Sequence, residues 1–390
     1  MNFETKCRCG KKGTIVYIGG FELPDKNAAA HRVMNNAKLF KLLGYETVFV
    51  GVDKSESATK DILNSKKIFQ GFDCYAVRYP KSVKEWFLYI NGISKYEQVA
   101  DGVTDLIAIV CYNFPAFAMD KIRNYCRKNG CLCLADITEW YGGGNRSLPL
   151  RIIKDIESHH RMYYSHKKMD GLIVISRYLE SFYEGNNVLR LPPLTDLSEE
   201  KWKNGKEKEI DNLRICYVGF PGSKDKIDLL IKSTTEVSRN YKLDIIGISK
   251  EDYLKNHPED KLLLNTKQIE FHGKLSHISA LEYVKAANYS CFFRDKDRVT
   301  MAGFPTKFSE AISSGTPVIT NDSSDIDDYI KQGENGILIE ELSPFNIGKC
   351  INNLENNIRV NRYIFDYRQY VELVNVWLDN LIRLKGKSNA

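Results

Sequence analysis

The sequence predicts an α/β protein built from two tandem, doubly wound, Rossmann-like domains that face each other across a cleft. Short apolar segments alternate with amphipathic ones along nearly the whole chain, which indicates parallel strands covered by helices on both faces of a sheet. The same opening, a strand followed by a glycine-containing loop and a helix, occurs near the start of the chain and again from Asn212. Loops at the carboxyl ends of such strands are the usual ligand-binding sites.

The first opening starts with GTIVYIG (13–19), an apolar segment rich in β-branched residues that is typical of a buried strand. Gly19 and Gly20 predict a turn. In AAAHRVMNNAKLFKLLG (28–44) apolar residues recur at helical spacing, and Gly44 ends the helix. The further strands predicted in this half are ETVFVGV, DCYAVRY, LIAIVCY, GCLCLADI and GLIVIS.

The second opening consists of the strand NLRICYVG (212–219), the loop FPGSKDK and the helix IDLLIKSTTEV. A polar, charged stretch without periodicity (195–211) predicts the linker between the domains. We therefore predict domains at 1–200 and 201–365 and a C-terminal helical segment at 366–390. The further strands predicted in this half are KLDIIG, QIEFHG, YSCFF, TPVIT and NGILI.

Composition excludes several classes of protein. The 390 residues carry 56 Lys and Arg against 50 Asp and Glu, too mild an excess for a nucleic-acid-binding surface. No apolar run is long enough to span a membrane, and the N-terminal segment lacks the apolar core of a secretory signal, so we expect a cytoplasmic protein. Most of the ten cysteines lie in apolar strands, which indicates free thiols. The CRC and CLC pairs lack zinc-site spacing, so no metal is expected.

Two phosphate-binding motifs are absent. Neither GGFELP (19–24) nor GFPGSK (219–224) has the G-x-G-x-x-G pattern of a dinucleotide site, and no G-x-x-x-x-G-K-[ST] segment occurs. These absences argue against a nicotinamide-dependent dehydrogenase and against a P-loop kinase or ATPase.

The segment AGFPTKFSEAISSGTPVITND (302–322) contains the residue types that bind a nucleoside diphosphate. Gly303 and Pro305 predict a bend before a helix, and Lys307 lies at the helix start, where N–H groups and a cation bind phosphate. Glu310 shares a helix face with Lys307, and its carboxylate can accept hydrogen bonds from two ribose hydroxyls. An i,i+3 salt bridge between Lys307 and Glu310 is the alternative.

The order of these segments resembles the GT-B-fold retaining glycosyltransferases, in particular family four. The resemblance covers nearly the whole chain and is most specific in 302–322, where EA and GTPVI follow a Gly-Phe bend. It implies a metal-independent, cofactor-free enzyme of polysaccharide biosynthesis. Such an enzyme transfers a sugar, with retention of configuration, from a nucleoside diphosphate to a glycan or lipid-linked acceptor. It also implies an acceptor-binding first domain, a nucleotide-sugar-binding second domain and a C-terminal helix that crosses back to the first.

Carried over residue by residue, the resemblance places the ribose at Glu310 and the bend at Gly303 and Phe304. Pro305 replaces the second glycine of that bend, and Lys307 follows it in a variant found in some members. The donor-binding residues implied are Gly20, Gly219, Lys224, Lys226, Arg294, Gly303, Phe304, Thr306, Lys307 and Glu310.

The basic pair that the family places after the first strand of the second domain is incomplete here. Phe220 occupies the arginine position, and Lys224, in preference to Lys226, matches the lysine. Arg294 follows the strand YSCFF, where it can replace a lost cation. Asp136 ends the strand GCLCLADI and either positions the acceptor or caps the next turn. The catalytic residues implied are Asp136, Lys224, Lys307 and Glu310.

Two departures from the family leave other functions open. Ala302 replaces the first glutamate of the motif and Phe220 the arginine, which favours a catalytically degenerate subunit that only binds. A nucleotide-sugar 2-epimerase shares the fold, but it needs acid–base carboxylates and histidines for which the chain offers few candidates. The sugar, the base and the acceptor are not readable from the sequence.

The segment KSVKEWFLYINGISKYEQ (81–98) mixes lysines with large apolar residues. This composition fits peripheral contact with the inner face of a membrane. An amphipathic helix packed on the first sheet is the alternative, and it is the interpretation we prefer from sequence alone.

Overall fold

The computed structural model describes residues 11–24, 27–55, 59–140, 148–203, 212–222, 224–356 and 358–388. The chain divides into two compact units. Unit 1 comprises the residues up to Leu194 together with those from Tyr367 onward, and unit 2 comprises Thr195–Asp366. Cys7, Cys9 and part of the predicted linker lie outside the described residues.

Unit 1 contains an eight-stranded sheet with the order β3-β4-β2-β1-β5-β6-β7-β8. All neighbouring strands run parallel except the edge pair β3–β4. Its strands are β1 (Gly13–Gly19), β2 (Tyr45–Asp53), β3 (Lys67–Phe69), β4 (Phe72–Arg78), β5 (Leu106–Tyr112), β6 (Leu132–Ile137), β7 (Gly171–Val174) and β8 (Val188–Arg190). The six strands predicted in this half are confirmed; the short strands β3 and β8 were not predicted.

The helices of unit 1 follow the strands as a doubly wound fold requires. Every residue of β1 is buried, because both faces of a parallel sheet are covered. The helices are α1 (Ala28–Leu42), α2 (Val83–Asn91), α3 (Ser94–Asp101), α4 (Ala116–Lys128), α5 (Leu148–His160) and α6 (Arg177–Phe182).

Unit 2 contains a six-stranded parallel sheet with the order β11-β10-β9-β12-β13-β14. Its strands are β9 (Leu213–Val218), β10 (Tyr241–Ile246), β11 (Ile269–Gly273), β12 (Tyr289–Cys291), β13 (Val318–Thr320) and β14 (Gly336–Leu338). All six were predicted. The helices are α7 (Ile227–Ser233), α8 (Lys250–Asn256), α9 (His277–Ala286), α10 (Arg298–Ala302), α11 (Thr306–Ser313), α12 (Ile326–Tyr329) and α13 (Pro344–Asn352).

The C-terminal helix α14 (Val371–Ser388) belongs to unit 1. Its Val374, Leu378 and Leu381 are buried in the same hydrophobic cluster as β-strand residues of that unit. A Cβ at Gly171 would lie 2.6 Å from Leu381 Cδ1, so the glycine of β7 allows this helix to pack closely. The sequence predicted a helical segment from residue 366, but α14 begins five residues later because a short 3₁₀ turn (Tyr367–Tyr370) precedes it.

The described cysteines are free thiols, and seven of the eight are buried. They lie mainly in the strands, as the sequence predicted. None of the helices in the described ranges combines the length and the apolar character that crossing a bilayer requires.

Candidate functional site

The predicted nucleotide-binding residues of unit 2 gather at the carboxyl end of its sheet. Strands β9 and β10 are each followed by a glycine with positive φ, 123° at Gly219 and 113° at Gly247. A Cβ at Gly247 would lie 2.4 Å from the Gly219 carbonyl oxygen. Only glycines therefore allow these two strand ends to lie side by side.

The loop after β9 is fixed to the end of β12. The Lys226 amide donates to the Phe293 carbonyl oxygen at 2.8 Å, and Asp225 forms an antiparallel bridge with Arg294. The Lys226 ammonium lies 2.6 Å from an Asp295 carboxylate oxygen. This loop therefore has a fixed backbone, and the predicted phosphate ligand Lys226 is engaged in an ion pair.

A buried ion cluster lies where the sequence predicts the diphosphate. The Asp225 carboxylate accepts from Arg294 Nε at 2.7 Å and from the Lys307 ammonium. Tyr217 donates its hydroxyl to the same carboxylate at 2.7 Å. The Asp225 side chain is 2% exposed, against 14% for Arg294 and 11% for Lys307. One carboxylate thus holds two cations at the strand ends.

Two members of the cluster, Lys307 and Asp225, have pKa values that differ from their usual ones. Burial lowers the pKa of Lys307 to about 8, and Asp225 only partly offsets this effect. Burial alone would raise the pKa of Asp225, but Lys307 and Arg294 outweigh it and hold that pKa below its usual value. The cluster carries one net positive charge when Lys307 is protonated, so it retains attraction for an anion.

The cations keep donors for a ligand. Among the described residues, none accepts from the terminal Nη atoms of Arg294, whose Nε alone pairs with Asp225. Helix α11 begins after Pro305, which provides no side-chain cap. The first backbone N–H groups of α11, at Thr306 and Lys307, therefore have no side-chain cap. Two cations beside a helix start are a strong anion-binding arrangement.

The predicted bend is present, and it is held by a hydrogen bond from Ser324 and by packing of Phe304. The Gly303 carbonyl oxygen accepts from the Ser324 hydroxyl. Phe304 is buried, and its ring packs against Phe308, Tyr329 and Phe365. Phe304 therefore anchors the bend in the core, and only its backbone remains available to a nucleotide.

Glu310 makes a different contact from the one that the alternative interpretation required. Its Oε1 lies 3.1 Å from His277 Nε2, whereas the Lys307 ammonium bonds to Asp225 and, at 3.2 Å, to the Tyr217 hydroxyl. The i,i+3 salt bridge between Lys307 and Glu310 is therefore not formed. Both side chains are committed to partners from other elements, which holds them apart on one face of α11.

Three further positions of the family motif, Lys224, Ala302 and Phe220, differ in their exposure. Lys224 is partly exposed on the loop after β9, and it pairs with no carboxylate among the described residues. Ala302 is fully buried at the end of α10, so the position of the missing glutamate is filled by packing. Phe220, in the arginine position, is 78% exposed.

Of the two candidates in unit 1, only Gly20 is accessible. Gly20 is exposed in the bend after β1, and a Cβ there would meet no atom within 4 Å. Asp136, by contrast, is fully buried. Its Oδ1 accepts from Arg32 at 2.7 and 2.9 Å, and its Oδ2 accepts from the Tyr17 hydroxyl and from Asn36 at 3.3 Å.

Asp136 is therefore the anion of a buried polar network and not a group that faces a substrate, which corrects the sequence-based hypothesis. The sequence placed it at an open strand end, but its side chain points into unit 1, where Arg32 neutralises it. Arg32 also donates to the Leu191 carbonyl oxygen at 3.0 Å, so the network supports the chain as it leaves unit 1.

Three residues of the site were not predicted: Asp225, Tyr217 and His277. Asp225 lies between Lys224 and Lys226 in the sequence and gives no sign that it pairs with cations 69 and 82 positions away. Tyr217 reads as an ordinary buried strand residue, and His277 as the first residue of a helix. The sequence signal that reveals such pairs is covariation of the two positions among homologous proteins.

Comparison with known proteins gives a family match that falls on unit 2. Residues 198–367 match the family model for glycosyl transferases group 1. An uncharacterised glycosyltransferase of Methanocaldococcus jannaschii is 24% identical over 211 residues, which cover 50% of this chain and 52% of that protein. The chain thus spans about half the length of this curated relative. The predicted resemblance to glycosyltransferases is confirmed; the assignment to family four stays a prediction.

Solved structures share the fold of the whole chain at low sequence identity. Sucrose-phosphate synthase from Thermosynechococcus elongatus is 12% identical, with 96% of this chain and 94% of that chain covered and a TM-score of 0.66. An α,α-trehalose-phosphate synthase (UDP-forming) from Burkholderia xenovorans is 9% identical, with 95% of this chain and 100% of that chain covered and a TM-score of 0.65. The Anabaena protein HepE, in complex with UDP and glucose, is 11% identical, with 94% of this chain and 100% of that chain covered and a TM-score of 0.64. These likenesses confirm the predicted GT-B fold class.

The ion cluster predicts a large asymmetry between two aspartates of unit 2. Asp225→Asn leaves two buried cations without a carboxylate and should lower the free energy of unfolding by about 3–5 kcal/mol. Asp322→Asn breaks a pair with Lys296 in which both side chains are exposed and should cost less than about 1 kcal/mol. Urea unfolding followed by circular dichroism measures both changes. Equal, small losses would show that Asp225 does not hold the cluster together.

Proposed function

We propose that this chain, whose residues 198–367 match the glycosyl transferases group 1 domain, is a retaining, metal-independent glycosyltransferase. It moves a sugar from a nucleoside diphosphate to a hydroxyl of a glycan or lipid-linked acceptor. Unit 2 binds the donor, and unit 1, with the exposed Gly20 loop, binds the acceptor. The observation that carries this proposal is the Arg294–Asp225–Lys307 cluster beside the start of α11, with Glu310 one turn further along.

The cluster suits the leaving group of sugar transfer. Negative charge grows on the diphosphate as the bond from the anomeric carbon to the phosphate oxygen breaks. The Lys307 ammonium, the free Nη atoms of Arg294 and the N–H groups of Thr306 and Lys307 are positioned before the reaction to stabilise that charge. Fixed donors of this kind stabilise a transition state strongly, because they need no reorganisation. Lys224 is the additional cation that the loop can provide.

The remaining roles are binding of the ribose and transfer of the acceptor proton. Glu310 binds the ribose hydroxyls, because a carboxylate can accept two hydrogen bonds from a vicinal diol. With Asp136 buried, the acceptor proton passes to the departing phosphate oxygen, which becomes more basic as the bond breaks. Two protein cations and a helix start stabilise the charge of the diphosphate in this scheme, so no divalent ion is assigned to it.

The first test is thermal-shift stabilisation by UDP, GDP, dTDP and CDP, with and without EDTA. UDP is the first nucleotide to examine, because matched structures such as HepE contain it. We expect one nucleotide to raise the melting temperature, with the same shift in EDTA and with the shift lost in Glu310→Ala. No shift with any nucleotide would favour the binding subunit, and interconversion of UDP-sugars without an acceptor would favour the epimerase.

The lowered pKa of Lys307 predicts that nucleotide binding weakens in alkali. Only the protonated ammonium attracts the diphosphate, and burial lowers the pKa of Lys307 to about 8. The affinity for UDP should therefore fall as the pH rises above about 8, by up to about tenfold per pH unit. The nucleotide contributes little to this change, because a terminal phosphate with a pKa near 6 is already ionised.

Isothermal titration between pH 7 and pH 10 measures this dependence, with Lys307→Arg as the matched control. An arginine keeps its charge throughout this range, so the variant should show a much flatter profile. A profile that falls equally in the wild type and in Lys307→Arg would contradict the assignment of Lys307 to the diphosphate.

A membrane surface is the proposed location of the acceptor, in the cytoplasm at the inner face of the membrane. The sequence favoured a packed helix at this position, but none of the nine residues of α2 is buried. Phe87 and Leu88 are 64% and 58% exposed, and Lys81 and Lys84 lie beside them. Exposed apolar side chains with adjacent lysines suit an anionic lipid surface.

Co-sedimentation with phosphatidylglycerol vesicles tests this contact. Phe87→Ser with Leu88→Ser should reduce binding severalfold. Ile68→Ser, at a side chain 74% exposed on the edge strand β3, should not. Equal binding to neutral phosphatidylcholine vesicles, or an equal effect of the Ile68 variant, would contradict a specific membrane contact through α2.

A further inference from the structure

We propose that His277 is a positioning residue that fixes the carboxylate of Glu310 for the ribose. This inference rests on the proposed function, in which Glu310 binds the sugar of the nucleotide. The two side chains come from different helices, α9 and α11, and His277 Nε2 lies 3.1 Å from Glu310 Oε1. The resemblance to known glycosyltransferases assigned no role to His277.

The chemistry of the pair sets the direction of the hydrogen bond. An ionised carboxylate only accepts hydrogen bonds, so Nε2 of His277 must carry the proton that it donates to Oε1. Glu310 then has Oε2, and the remaining lone pair of Oε1, available for a ligand. The residues are 32% and 24% exposed, so the pair lies at the surface of unit 2, within reach of a ligand.

The backbone that carries His277 is well fixed. His277 is the first residue of α9, and the preceding Ser276 caps this helix by accepting from the Ser279 amide at 3.1 Å. The buried hydroxyl of Thr316, just after α11, donates to the Val284 carbonyl oxygen of α9 at 2.7 Å. The two helices are thus tied together at the end far from His277, and the histidine keeps a constant distance from α11.

Fixing Glu310 in advance should strengthen binding. A free glutamate side chain loses substantial rotational entropy when a ligand immobilises it, and a partner that holds it beforehand removes part of that cost. Lys307, the nearest cation along α11, does not perform this task because its ammonium bonds to Asp225. His277 is the group that contacts Glu310 in its place.

A pair of ligands separates this role from a structural one. The affinities of UDP and 2′,3′-dideoxy-UDP are measured by isothermal titration for the wild type, His277→Ala, His277→Gln and Glu310→Gln. His277→Ala should weaken UDP binding about 2- to 10-fold, the usual effect of one hydrogen bond, and should change dideoxy-UDP binding less than twofold. Since the glutamine amide can donate to Oε1, His277→Gln should restore most of the UDP affinity.

The outcomes distinguish the inference from the function beneath it. One outcome is that Glu310→Gln lowers the affinity for UDP but not for dideoxy-UDP, while His277→Ala lowers both affinities equally or neither. In that case the role assigned to His277 is wrong, and the assignment of Glu310 to the ribose is retained. If the wild type binds UDP and dideoxy-UDP equally well, Glu310 does not hold the ribose, and the inference falls with that assignment. Unfolding midpoints without ligand show that each variant is folded.

Discussion

The proposed donor site of unit 2 depends on one carboxylate, that of Asp225. Two cations near a sheet edge repel each other and lose hydration when they are buried, so neither Lys307 nor Arg294 would stay at the strand ends unaided. Asp225 pairs with both, and the Tyr217 hydroxyl supports it from the strand below. The backbone bridge between Asp225 and Arg294 fixes the two backbone positions from which these side chains extend. The groups that we propose to bind phosphate are thus assembled before a ligand arrives.

Unit 1 uses the same principle for a different purpose. Asp136 is paired with Arg32 inside the sheet, and Arg32 extends the network to the Leu191 and Pro192 carbonyl oxygens. Asn35 donates to the Leu194 carbonyl oxygen at 2.7 Å, so α1 holds the last residues of unit 1 before unit 2 begins. The buried charge of unit 1 therefore holds the last residues of that unit, whereas that of unit 2 supports the proposed binding surface.

The fold was predictable from sequence, but the partners of the charged residues were not. Strands such as β1 and β5 appear as continuous apolar runs because both faces of a parallel sheet are buried. The proposed site is indicated by Gly219, Gly303 and Lys307. A diphosphate is bound by closely approaching backbone and by a cation, and short sequence segments reveal both. The pairing of Asp225 with Lys307, and of Glu310 with His277, joins residues 82 and 33 positions apart. Asp136 shows the same limit, since only the fold reveals that Arg32 neutralises it.

The crystal structure of this chain with UDP tests the central claim most directly. We expect the diphosphate to contact the Lys307 ammonium and the terminal Nη atoms of Arg294, with Asp225 still between these two cations and with the ribose hydroxyls bound to Glu310. A diphosphate bound away from this cluster, or a ribose that does not reach Glu310, would contradict the assignment of the donor site.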